Sequence, residues 1–233
     1  LQRGQSARFN DPRESELRGA TNNFADIVNY MLTNEAGGLG QYISPELIDY
    51  PSLETSARFL NQNKLRYDGS VADRTNARDY LTQIAPFFLC NFVIKNGMFG
   101  VEPTLPVDSD GNIAPNSINI SNIFNESTII DGTYKLSYLD VSQRQDFQAV
   151  LSYRTALRDS PPSIETVTMR WNEDGSYLYP QEEIDLSGFC TSRNHAEMVG
   201  RFLLSIRRLV DHTIQFETAP DQLGIQPGAY ILV

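Results

Sequence analysis

Three acidic residues, Glu182, Glu183 and Asp185, crowd the segment PQEEIDLSG. Paired carboxylates are the machinery of glycoside hydrolysis, one serving as acid and the other as base or nucleophile across the scissile bond. That chemistry needs the two held opposite each other across a fixed gap. These three directly precede a strand pattern, and nothing in their spacing sets one against another. Cys190 and His195 suggest a second chemistry, a thiol activated by an imidazole. Thr191 and Ser192 stand between them and suit the cap of a helix starting there, which accounts for the region without a nucleophile. No catalytic residue is assigned.

The binding motifs fare similarly. Asp108-Ser109-Asp110-Gly111-Asn112 resembles part of a calcium loop, but its Gly comes too early for an EF-hand and no Glu closes it. It reads as a solvated turn. Gly37-Gly38-Leu39-Gly40 lacks the preceding strand and following Lys-Ser/Thr of a phosphate loop, and reads as a helix terminator. His212 reads as a strand-edge residue. Phe87, Phe88 and Phe92 read as core rather than as a base-stacking platform. Cys90, within PFFLCNFVI, and Cys190 are the only cysteines and read as reduced, buried thiols. No metal, cofactor or cofactor-binding residue is assigned.

The elements that hold these residues follow from periodicity. Residues 1–22 are polar and unpatterned, and read as an arm or connector. Phe24, Ile27, Val28, Met31 and Leu32 mark a helix capped by Thr21 or Asn22 and ended by the glycines at 37, 38 and 40. A second helix is expected from the cap Ser52 to about Asn63. A third starts near Asp73 or Thr75, carries Ala77, Tyr80, Leu81 and Ile84, and stops at Pro86. Residues 87–94 form a strand, Asn96-Gly97 a hairpin turn, and residues 98–101 the returning strand.

These make a helical subdomain with a β-hairpin over 23–106, followed by a loop over 107–122. A strand-rich α+β subdomain over 123–233 has strands at 135–139, 147–154 and 165–171. It closes with strand, helix, strand, a turn at Pro227-Gly228 and a final strand at 230–233. Ala196, Val199, Leu203, Ile206 and Val210, widened by Phe202 and Leu209, give the last helix one apolar face. Arg201, Arg207 and Arg208 suit its C-terminal end. Ile214 and Phe216 alternate with polar neighbours in the expected strand 212–218, the period of a half-buried strand. The fold class expected is α+β.

At 233 residues the chain can bury a sizeable core, and 40% hydrophobic with 21% charged residues describes an ordinary globular protein. A net charge of -10 with scattered arginines argues against stable nucleic-acid binding. No apolar run is long enough to span a membrane. The start LQRGQSARFNDPRE has no initiator Met or signal pattern, and the chain stops inside a strand-like run at Val233. Both ends read as cuts in a longer polypeptide.

Two blocks resemble a known family. The first is Tyr30-Met31-Leu32-Thr33-Asn34 through Gly38-Leu39-Gly40, with Ile48-Asp49, Ala57-Arg58-Phe59, Tyr67-Asp68-Gly69 and Ala77-Arg78-Asp79-Tyr80-Leu81 downstream. The second is Gly188-Phe189-Cys190-Thr191-Ser192-Arg193, with Ala196, Arg201-Phe202-Leu203 and Gly224-Ile225-Gln226-Pro227-Gly228. They resemble the hub region of phage tail-tip proteins, the tip attachment or host-specificity proteins of lambda-type siphophages. Residues 103–163 are unmatched. Ala229 replaces the acidic residue that the family places after Pro-Gly, so no role of that side chain carries over.

The resemblance implies a structural virion protein, a tail-tip or baseplate hub subunit linking the tail tube to the host-binding end. It implies a homotrimer that meets tail-tube, tape-measure and other tip proteins, is assembled in the host cytoplasm and serves host attachment and genome ejection. It implies no enzyme. Two alternatives are a tail-associated cell-wall hydrolase resting on Glu182, Glu183 and Asp185, and a glycan- or receptor-binding module resting on Trp171, Tyr177 and Tyr179.

Overall fold

The computed structural model describes residues 21–71, 76–118, 120–155, 161–171, 179–219, 225 and 228–233. The expected arm falls almost wholly outside them, as do Asp73, Thr75, Tyr177 and Pro227. Helices and small sheets are mixed along the chain, an α+β architecture. Two compact units result, one of residues 1–118 with 188–195 and the other of 119–187 with 196–233.

The first unit contains α1 (Phe24–Thr33), α2 (Tyr50–Gln62), α3 (Ala77–Ile84), β1 (Cys90–Lys95) and β2 (Met98–Pro103). The cap of α1 is Asn23 rather than Thr21 or Asn22. Its side-chain oxygen accepts the Ala25 N–H at 3.0 Å, the reach that only the residue directly before the first helical position has. The Thr21 hydroxyl braces the cap by accepting the Asn23 N–H. α2 begins before Ser52, because the carboxylate of Asp49 caps it by accepting the Ser52 N–H at 3.2 Å. Pro51 fits its first turn, where the missing N–H had no partner to lose. Asn76 caps α3.

α3 ends at Ile84, just ahead of Pro86 as expected, but Pro86 does not lead straight into a strand. It sits at the start of a 3₁₀ turn, Ala85–Phe88, where its ring is tolerated, and Leu89 at φ 53° ends that turn. The strand therefore begins at Cys90, three residues later than the pattern suggests. Asn96 and Gly97, at φ 50° and 80°, make the two-residue hairpin turn. α2 lies on β2, with the Ser56 hydroxyl donating to the Val101 carbonyl at 2.6 Å. A Cβ on Gly100 would stand 2.2 Å from Ser52 Oγ, so this approach needs a glycine. Phe24, Leu53, Phe59, Leu60, Leu81 and Phe88 are fully buried, each contributing about 1.5–3 kcal/mol.

The second unit contains β3 (Ile120–Ile123), β4 (Lys135–Tyr138), α4 (Val141–Arg144), β5 (Gln148–Arg154), β6 (Ile164–Met169) and β7 (Gln181–Asp185). It also holds α5 (Arg193–Leu209) from Ala196 onward, β8 (His212–Gln215) and β9 (Tyr230–Leu232). β5 lies between β6, antiparallel, and β7, parallel. β4 pairs with β8 antiparallel and β3 with β9 parallel. β3 starts inside the expected loop 107–122, which also holds a bridge between Val107 and Ile113 and a short 3₁₀ turn at Pro115–Ser117.

α5 meets this three-stranded sheet at Gly200, and its buried positions there and beyond are Ala196, Val199, Gly200 and Leu204 rather than the whole expected stripe. A Cβ on Gly200 would come within 2.8 Å of both Leu151 Cδ1 and Met169 Sδ, so the closest approach falls at the glycine. That turns the buried face and leaves Ile206 and Leu209 exposed, with Val210 beyond the helix end. The half-burial expected for 212–218 is also absent over β8, whose residues are all exposed. Phe216 beyond it packs on Phe124, ring centroids 4.9 Å apart.

Candidate functional site

The pleat of β7 separates the three acids. Glu182 shares a face with Ile184, while Glu183 and Asp185 point the other way and are exposed. Glu182 accepts from Arg207 at 2.9 Å, and Arg207 lies over the Phe147 ring. Asp185 accepts the Ser187 N–H at 2.8 Å, and the hydrogen bonding from Ser187 holds its carboxyl below the ordinary range. Asp185 is therefore not set up as a proton donor, and Glu182 is engaged by Arg207 on the opposite face.

Cys190 and His195 are both buried in the first unit. The Cys190 thiol donates to the Ser192 carbonyl at 3.3 Å. His195 Nε2 lies 2.8 Å from the Phe87 carbonyl oxygen and must be the protonated nitrogen, because a carbonyl only accepts. Nδ1 is buried with no hydrogen-bond partner among the described residues. Burial pulls the imidazole below its ordinary pKa of 6.5, outweighing the opposing pull of the Phe87 bond, of Asp68 and of the Arg66 backbone. A thiol and ring closed off from solvent make a structural pair rather than a nucleophile. Cys90 is likewise free and buried, with its pKa driven up by desolvation.

The candidate ligand loops are satisfied from within. Asp108 Oδ1 accepts the N–H groups of Asp110 and Asn112, and both its oxygens accept from the Asn112 side chain. These bonds, the Asn112 side chain foremost, hold its carboxyl below the ordinary range. The amides a phosphate would need at residues 38–40 are spent on the end of α1. Gly38 and Gly40 donate to the Asn34 carbonyl and Leu39 to that of Met31. A Cβ on Gly40 would stand 2.2 Å from the Thr33 carbonyl oxygen, so these glycines let the chain fold back over a helix that has already ended at Thr33. His212 is exposed, paired with Asp211 and tilted against Tyr138, ring centroids 5.8 Å apart. Among the described residues no group of three or more His, Cys, Asp or Glu is placed to hold a metal ion.

What sequence reasoning missed is a junction. Residues 188–195 return to the first unit and pack on Tyr67-Asp68-Gly69. The Asp68 N–H donates to the Phe189 carbonyl at 2.8 Å, and the Thr191 hydroxyl donates to the Asp68 carboxylate rather than serving only the helix start. A Cβ on Gly69 would stand 2.6 Å from the Gly188 carbonyl oxygen. Phe88 stacks on Phe24 with centroids 4.5 Å apart and meets Phe189 at 5.5 Å and His195 at 5.1 Å. One segment from each of the blocks that carried the family resemblance, residues 67–69 and 188–191, thus meets at this aromatic cluster. Their shared density of glycine, aromatic and short polar residues was the available signal. Phe87 and Phe88 belong here, in the 3₁₀ turn, and Phe88 is core as expected. Of the residues named for glycan binding, Trp171 is exposed and Tyr179 half-buried.

No family model matches this chain, and no curated protein matches it. Among solved structures it is similar to a chain in the virion of a native gene transfer agent particle, with a TM-score of 0.58 and 11% identity. The likeness covers 93% of this chain and 44% of that one, so this chain spans less than half the length of its neighbour. At that identity the likeness is one of fold. No helix among the described residues is long and apolar enough to cross a membrane.

Proposed function

We propose that this chain is a structural virion protein, a subunit of a phage tail-tip or baseplate hub that links the tail tube to the host-binding end. The observation that carries the proposal is the fold likeness to a virion chain over 93% of the sequence. The junction adds to it, because one segment of each block resembling tail-tip proteins, residues 67–69 and 188–191, packs on the other. In this reading the chain works as a homotrimer among tail-tube, tape-measure and other tip proteins. No catalytic, metal or cofactor role is assigned to its residues, and its role in host attachment and genome ejection is mechanical.

The acids at 182–185 give the hydrolase alternative no support, since Glu182 is held by Arg207 and the other two face away from it. The test is location. Antibody labelling and averaged electron micrographs of particles are expected to place the protein at the tail end with three-fold density. Its absence from purified particles would sink the proposal.

A further inference from the structure

An aspartate followed by glycine can rearrange its own backbone when the glycine nitrogen swings onto the carboxyl carbon of the aspartate. Glycine permits this approach because no Cβ stands in the way and its backbone turns freely. The chain has Asp-Gly at 68–69, 110–111, 131–132 and 174–175, the last outside the described residues. The fold treats the other three differently.

Two are clamped. The Asp68 carboxylate accepts from Asn22 and Thr191, its N–H donates to the Phe189 carbonyl, and the Gly188 carbonyl crowds Gly69. The Gly111 N–H donates to the Asp108 carbonyl at 3.1 Å, and the Gly111 carbonyl accepts from Asn63. A Cβ on Gly111 would stand 2.6 Å from the Arg58 backbone. Neither glycine nitrogen can turn without breaking these contacts. Asp131 and Gly132 instead form the tip of a turn closed by the Thr133 N–H donating to the Ile130 carbonyl at 3.1 Å. Both tip residues are exposed, and a Cβ on Gly132, at φ 77°, would meet nothing within 4 Å. Among the described residues no hydrogen bond engages the Asp131 carboxyl or the Gly132 N–H.

We propose that Asp131 is a site of spontaneous conversion to isoaspartate. The Gly132 nitrogen attacks Asp131 Cγ. A Cγ–N bond forms, and a carboxyl oxygen leaves as water, taking the amide hydrogen and the carboxyl proton. Solvent water then opens the cyclic imide. Cleavage at Cγ restores aspartate, whereas cleavage at the main-chain carbonyl carbon leaves the backbone running through Cγ. Nothing is oxidised, the mass is unchanged, and the main chain gains a methylene. That lengthening strains the ties of the turn. The Thr133 hydroxyl donates to the Ile130 carbonyl at 2.6 Å and accepts the Glu217 N–H, and the Ile130 N–H donates to the Glu217 carbonyl. Conversion therefore loosens the entry to β4 and its pairing with β8.

The test ages the full 233-residue chain in native buffer and, separately, in concentrated urea. Peptides of equal mass are then separated by retention and assigned by fragmentation. In native buffer Asp131 is expected to convert at least about tenfold faster than Asp68 or Asp110, which must first open locally. In urea the three rates should converge, because the clamps are gone. Asp131→Glu keeps the charge but disfavours ring closure, and should abolish conversion at this turn. Any reaction at Asn96-Gly97 releases ammonia and changes the mass, so it is read apart.

Asp68 or Asp110 converting as fast as Asp131 in the native chain would overturn the proposal. So would an Asp131 that stays intact in native buffer while converting in urea. Protection of β4 and β8 against hydrogen exchange should fall in step with conversion, and unchanged protection would refute the loosening.

Discussion

His195 shows how far a single residue departs from its apparent role. The spacing to Cys190 suggests chemistry, but the imidazole is 1% exposed, with one nitrogen on a backbone carbonyl and the other unpartnered. Burial disfavours the charged ring and outweighs the Phe87 and Arg66 backbone carbonyls and the Asp68 charge, which favour it. The folded pKa is depressed, so the stabilising effect of the neutral ring is complete above its ordinary value of 6.5. As pH falls below that value, the unfolded chain takes up a proton that the folded ring refuses. Stability then declines until pH reaches the lowered folded value.

Urea midpoints for the parent are therefore expected to fall between about pH 7.5 and pH 5.5, while His195→Phe should be flatter over that window. A parent midpoint that rises on acidification would contradict the neutral, buried ring. None of this was legible in the sequence, because a histidine beside a helix start reads alike whether its ring faces water or a phenylalanine cluster.

Glycines decide several of the element boundaries and contacts, and their substitutions separate backbone from side-chain crowding. At Gly69 the obstacle to a Cβ is the Gly188 backbone carbonyl, which has nowhere to go. Gly69→Ala is expected to lower stability by about 1–3 kcal/mol. At Gly200 the obstacles are the ends of Leu151 and Met169, which can swing away. The gain of about 1 kcal/mol in helix propensity then offsets most of the crowding, so Gly200→Ala should stay within about 1 kcal/mol of the parent. Equal losses for the two variants in chemical denaturation would remove the distinction.

Elements specified by local chemistry were legible. The Asn-Gly hairpin, the existence of α1, α2, α3 and α5, and the strands at β4, β5 and β6 all follow from turn residues and periodicity. The misplaced starts of α2 and β1 came from competing signals, an Asp three residues ahead of a Ser and a proline tolerated in a 3₁₀ turn. The parallel pairings β5/β7 and β3/β9 join strands distant in sequence, and no local pattern encodes a partner.

At the scale of the molecule, each unit draws on two separate stretches of chain. A subdomain reading along the sequence keeps neighbours together and has no means to send residues 188–195 back to the first unit. Their return supplies Phe189, His195 and the hydroxyl of Thr191 to the cluster. A fragment of residues 1–118 is accordingly expected to lose fixed tertiary packing, seen as a collapsed near-ultraviolet dichroism signal, while keeping part of its helical signal. Supplying residues 188–195 on a linker should restore it. A fragment with native-like near-ultraviolet dichroism would mean that the cluster closes without them.

The same return imposes an order on biosynthesis. The first unit emerges from the ribosome early, yet its last eight residues are translated only after all of residues 119–187. Throughout that interval Tyr67, Phe87 and Phe88 lack the ring of Phe189, and the Asp68 amide lacks its acceptor. A nascent chain normally hides its earliest domain first, but here completion waits on a segment far downstream, across a closure whose entropy must be met in one step. The half-made unit therefore presents an open aromatic surface during translation, and the pace of synthesis across the intervening strands sets how long chaperones must shield it.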